Sequence, residues 1–169
     1  NTATLGVFDQ IDSNPDNSED SATFTVGGTI AGTIFNDADA SWTFGTGDDN
    51  PFEGVTLRLL DADGNPLKDD SGADITTKTD ADGNYLFNRL PLGSYKVEVV
   101  PGDAKVDGTD VNLSDYKQTY GYSSSTDRTQ VGQGTLVTPA PIELTAAAPN
   151  VTNIDFGFVK PASVSDYVW

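Results

Sequence analysis

Apolar and polar residues alternate in short runs along most of the chain, and clusters of Asp, Gly, Asn and Pro separate the runs. Period-2 alternation marks a strand with one face buried. Strands are predicted at Thr29–Phe35, which carries an internal Gly32, and at Val55–Leu60, Tyr85–Asn88, Ser94–Val100, Pro141–Leu144 and Val151–Val159, with a short one at Ile75–Thr79. The sequence Asp61-Ala62-Asp63-Gly64-Asn65 and its second copy, Asp80-Ala81-Asp82-Gly83-Asn84, are strong turn signals. Asn36–Pro51 reads as a long loop, and residues 101–127 as a polar, tyrosine-containing stretch with a single helical turn near Leu113–Lys117. About seven short strands with turns at this spacing predict an all-β sandwich of Ig-like type with Asp-rich loops.

The ends of the chain repeat the strand pattern without an evident partner. Thr4–Phe8 and Ala22–Val26 flank a polar run, Asp9–Asp20, and Val164–Trp169 starts another apolar segment. Two strands alone are marginal in water. Residues 1–27 are therefore expected to be a terminal hairpin or connector of a preceding module. Residues 28–160 form the main domain, and residues 161–169 a linker and the first strand of a following one. The chain starts at Asn1 with no leader, which reads as a mature fragment of something longer.

Composition narrows the chemistry. The chain has 169 residues, 9 basic and 26 acidic, for a net charge of −17. It has no Cys and no His, which removes disulfides, thiolate–zinc sites and His- or Cys-based nucleophilic catalysis. Nucleic acid would be repelled, because phosphate contacts need clustered Lys and Arg. No run of residues is long and apolar enough to predict a membrane span. The acids are 22 Asp against 4 Glu, which favours turns and loops over helices. Cations, basic surfaces and neutral ligands remain as partners.

The order of the pieces carries a resemblance. Gly32-Thr33-Ile34-Phe35-Asn36-Asp37, Glu53-Gly54-Val55-Thr56-Leu57, the run Thr77–Leu90 (TKTDADGNYLFNRL), Pro91–Val97 and Asn153–Phe158 (NIDFGF) follow one another in residues 28–160. This stretch resembles the B-type repeat domains of serine–aspartate repeat surface proteins, which are related to collagen-adhesin B-type domains. The resemblance implies a seven-stranded, transthyretin-like sandwich in the stalk of a wall-anchored bacterial adhesin, often stiffened by calcium. The implied location is extracellular, on the bacterial surface or in the cell wall. The implied partners are neighbouring repeats packed head to tail.

The first candidate site is the loop Asp37–Asp48. A calcium loop supplies oxygens at positions 1, 3, 5, 7, 9 and 12. Counted from Asp37, these are Asp37, Asp39, Ser41, the Thr43 carbonyl, Gly45 and Asp48, with Asp49 and Glu53 as alternates. Trp42 stands where such a loop has Gly, and Asp48 where it has Glu. The resemblance implies calcium in this same loop; the alternative is a solvated acidic loop. Weaker candidates are Asp61 and Asp63, and Asp80 and Asp82, in turns that ordinary hairpins also use, with Asp107, Asp110 and Asp115 as possible contributors. An intramolecular Lys–Asn cross-link, known in some collagen-adhesin B-type domains, would use Asn153 or Asp155. It is not expected, because the first strand has no Lys. Trp42, Tyr116, Tyr120 and Tyr122 can stack on a sugar or plug the core.

Two readings of function follow. One is a non-catalytic structural repeat, a stalk or spacer of an extracellular adhesin or surface fibre, rigidified by calcium. The other is a carbohydrate- or protein-ligand-binding module of a secreted multidomain protein. Nothing marks any carboxylate pair as the buried acid of a hydrolase, so no enzyme is expected.

Overall fold

The structure is a computed structural model that describes residues 27–39, 41, 44–45, 49–121 and 136–161. The end segments 1–26 and 162–169, on which the connector and the following strand were expected, lie outside the described residues. The described chain forms strands β1 (Gly28–Asn36), β2 (Asn50–Glu53), β3 (Thr56–Asp61), β4 (Thr76–Lys78), β5 (Asn84–Leu90) and β6 (Gly93–Val100). These are followed by β7 (Asp103–Val106), β8 (Thr109–Asn112), β9 (Lys117–Gly121), β10 (Ile142–Leu144), β11 (Asn150–Val151) and β12 (Phe156–Val159). A 3-10 turn at Leu113–Asp115 stands where one helical turn was predicted, capped by the Asn112 side chain, which accepts from the Ser114 amide.

The strands make two sheets. One runs β8-β7-β2-β1-β12-β9, with β5 and β11 also on β1, and the other runs β10-β6-β3-β4. The expected all-β sandwich is present, with more strands than predicted. Alternation sets the buried face: Leu57 and Leu59 on β3, Tyr95, Val97 and Val99 on β6, and Tyr85 and Phe87 on β5 turn inward. Those of β5 belong to the larger sheet, where Ile30, Ile34, Phe52, Phe156 and Phe158, with Ile154 from the link between β11 and β12, complete the core against β3 and β6. The Phe52 and Phe158 rings pack edge to face with centroids 6.3 Å apart. Burying one such side chain contributes about 1.5–3 kcal/mol.

β1 is the axis of the larger sheet. On one side it pairs antiparallel with β5 and then β2, and on the other it pairs parallel with β11 and then β12. The single strand predicted over Val151–Val159 is thus two. The break falls at Asn153, whose φ of 63° takes the chain out of the ladder. Ile154 then crosses Gly32 so closely that a Cβ there would lie 2.0 Å from its carbonyl oxygen. The gap is closed by other bonds. Ile154 N–H donates to Ala31 (3.1 Å), Thr33 N–H donates to Asp155 Oδ1 (2.8 Å), and the Tyr85 hydroxyl donates to the Ile154 carbonyl (2.6 Å).

Candidate metal centre

β1 ends beside the last strand. Asn36 stands opposite Asn50 of β2 and Phe158 of β12, and the next amide, Asp37 N–H, donates to the Phe158 carbonyl (2.7 Å). That bond fixes Asp37 just beyond the end of β1, where the residue is fully buried. The chain then turns at Ala38 and Asp39. Asp39 Oδ1 accepts from Ser41 N–H (2.9 Å), a local side-chain turn that an Asp makes readily. Further along, the Phe44 ring lies against Phe35 with centroids 5.3 Å apart, which returns the loop to the end of β1. Asp49 sits directly before β2, and its Oδ1 accepts from Ala38 N–H (3.2 Å).

The result is a convergence of three carboxylates. One oxygen from each of Asp37, Asp39 and Asp49 lies within 4.8 Å of the others, from a buried, an exposed and an intermediate residue respectively. Like charges this close repel, and burial strengthens the repulsion. A hard divalent cation relieves both, and carboxylate oxygens are the ligands such cations prefer. The cluster can therefore hold a metal ion, and it is the group of this kind found among the described residues.

The other predicted residues are distributed differently. Ser41 is at the cluster's rim through its amide, and Gly45 carries a positive φ of 89° in the turn after Phe44. Thr43 and Asp48, like Trp42 and Tyr122, lie outside the described residues. Glu53, an alternate, is exposed on β2 and lines a shallow groove with Lys78, Lys105 and Asp110, away from the three Asp. Asp61 and Asp80 spend their carboxylates on their own turns: Asp61 accepts from the amides of Asp63 (2.9 Å) and Asn65 (2.8 Å), and Asp80 from those of Asp82 (3.0 Å) and Asn84 (2.8 Å). The Asn65 side chain and amide hold the Asp61 carboxyl below its ordinary pKa. Asp63 and Asp82 are solvent-exposed. Asp107 lies at a turn tip with a φ of 49°. Asp110 and Asp115 line another groove with Asp103, Asn112 and Lys160. Tyr116 packs edge to face on Phe52 with centroids 5.1 Å apart, so this partly buried aromatic lies against the core.

The fold defines a class, the all-β sandwich, and comparison with known proteins makes it specific. The SdrD B-like domain family matches residues 28–158, and the chain belongs to that family. Serine-aspartate repeat-containing protein D of Staphylococcus aureus strain Newman is 34% identical over 124 residues, covering 72% of this chain and 8% of that protein. Colossin-A of Dictyostelium discoideum is 38% identical over 77 residues, covering 41% of this chain and 1% of that protein. The chain thus spans less than a tenth of these curated relatives. Among solved structures, BcpA, the major pilin subunit of Bacillus cereus, overlays with a TM-score of 0.47 at 17% identity, covering 80% of this chain and 31% of that one. GBS52, a minor pilin of Streptococcus agalactiae, overlays at 0.44 and 17% identity, covering 84% of this chain and 49% of that one.

Proposed function

We propose that the chain is a non-catalytic structural repeat, a spacer in a bacterial cell-surface protein, whose acidic edge is rigidified by calcium. Family membership over residues 28–158 supports the repeat. The geometry of the ends supports a spacer. The chain enters at Gly28 on one end of β1 and leaves after Val159 at the end of the parallel β12, opposite Asn36. Eight steps of strand separate the two points, roughly 25 Å at the usual rise. Neighbouring modules on either side would therefore sit at opposite poles, in the head-to-tail arrangement of a stalk.

The observation that carries the calcium is the convergence of Asp37, Asp39 and Asp49 where β1, β12 and β2 meet. An ion there would tie the long loop to the first and last strands. A ligand bound only to the native state stabilises it by about 2.7 kcal/mol at a hundredfold excess over its dissociation constant. EDTA is expected to lower the melting temperature by several degrees, and Asp37→Ala to remove most of that response. A melt that EDTA leaves unchanged, on protein proved metal-free by elemental analysis, would remove calcium from this reading and leave the spacer standing.

A further inference from the structure

We propose that Thr119 supplies a further oxygen to the cation centre, binding strand β9 into it. The proposal rests on reading the acidic loop as a cation site. Thr119 is only 8% exposed, and its hydroxyl has no hydrogen-bond partner among the described residues. Buried hydroxyls are satisfied in nearly all native structures, and one without a partner weakens the fold that keeps it. A reason for its presence should lie within reach of the oxygen.

The strand pairing aims the side chain at the acidic edge. β9 and β12 run antiparallel with Gly157 opposite Tyr120 and Phe158 opposite Gln118. Thr119 has no opposite number, so it is the extra residue of a β-bulge, a device that re-aims a side chain. Gly157 marks where it points. A Cβ on that glycine would lie 2.8 Å from the Thr119 hydroxyl oxygen and 3.2 Å from Asp37 Cβ. The hydroxyl and the Asp37 side chain thus stand over the same glycine. Calcium takes oxygens at about 2.3–2.6 Å, so two of its ligands can be about 5 Å apart, beyond hydrogen-bond reach of each other. A neutral hydroxyl beside three carboxylates also adds coordination without adding charge repulsion.

Thr119→Val keeps the shape and strand preference and removes only the oxygen, and Thr119→Ser keeps the oxygen. Calcium affinity is measured by titration calorimetry, and bound water by the luminescence lifetime of terbium in light and heavy water. Thr119→Val is expected to bind about tenfold more weakly, to hold one more water on terbium, and to melt higher than wild type when both are metal-free. Thr119→Ser is expected to bind like wild type. A packing role alone would leave affinity and water count unmoved. If Thr119→Val retains both while Asp37→Asn abolishes binding, the centre stands and the Thr119 proposal is overturned. If wild type binds neither calcium nor terbium, both readings fall.

Discussion

The carboxylate of Asp155 sits where β11 gives way to β12, and burial pushes its pKa up against the opposing pull of the Thr33 amide. The folded chain therefore takes up this proton more readily than the unfolded chain does. Between the ordinary carboxylate value and the raised one, the native state binds more protons, so stability falls as pH rises. The contribution is fully present in acid and is lost through the folded pKa. Asp155→Asn, whose amide oxygen can still accept from Thr33, is expected to melt higher than wild type at neutral pH. The difference should close as pH falls below the ordinary carboxylate range; melts in EDTA that track each other across that range would contradict it. Asp69 and Asp74 have the opposite sign. Hydrogen bonds from Ser71 and from Lys68 hold their carboxyls low, so their contributions are present above the ordinary value and are lost as pH falls.

Among the elements, three turns share one construction. In Asp61–Asn65, Asp69–Ala73 and Asp80–Asn84, the fourth residue is a glycine with positive φ whose N–H donates to the first carbonyl, and the first N–H donates to the fifth carbonyl. Their glycines should nevertheless respond differently. At Gly64 an added Cβ meets nothing within 4 Å, whereas at Gly83 it would lie 2.6 Å from the Ile34 carbonyl oxygen. Gly64→Ala is expected to cost about 1–2 kcal/mol, the strain of the left-handed backbone alone. Gly83→Ala should cost distinctly more, because backbone must shift. Denaturant melts that rank the two equally would contradict this. The DADGN copies were legible because Asp-Gly is a strong hairpin signal. The middle turn, Asp69-Asp70-Ser71-Gly72-Ala73, was not, since Ser-Gly is a weak one. Strands β7, β8 and β9 were hidden in a polar stretch because few of their side chains reach the core, Ala104 among them. The break in the last strand depends on Asn153 taking a left-handed conformation, which Ile154 crossing Gly32 requires and local pattern does not reveal. At the acidic edge, Asp37 and Asp39 were readable from their spacing. Asp49 stood only as an alternate to Asp48, since the start of β2, set by pairing with β1, decides which carboxylate arrives. Thr119 was not readable at all: a bulge against β12 brings it there from a distant stretch of the chain.

For the whole molecule, a charge of −17 makes the compact state repel itself. Salt screens exposed charges over about 10 Å at 0.1 M. In EDTA, raising sodium chloride from low to moderate concentration is expected to raise the melting temperature, and calcium to add a further rise at fixed ionic strength. A calcium effect fully reproduced by an equal ionic strength of sodium chloride would assign it to screening. The parallel pairing of β1 with β11 and β12 has a mechanical consequence. A tension applied at Gly27 and Pro161 pulls β1 by its first residue and β12 by its last, so the neighbouring strands are drawn lengthwise past each other. The hydrogen bonds between them lie across that pull and must give way together. Held instead at Gly27 and Pro91, the chain would be opened at the antiparallel pair Gly28 and Leu90, where the rungs break in succession. Single-molecule stretching should therefore find a higher rupture force for the first attachment than for the second, so that the direction in which a stalk is loaded is the direction in which this fold resists.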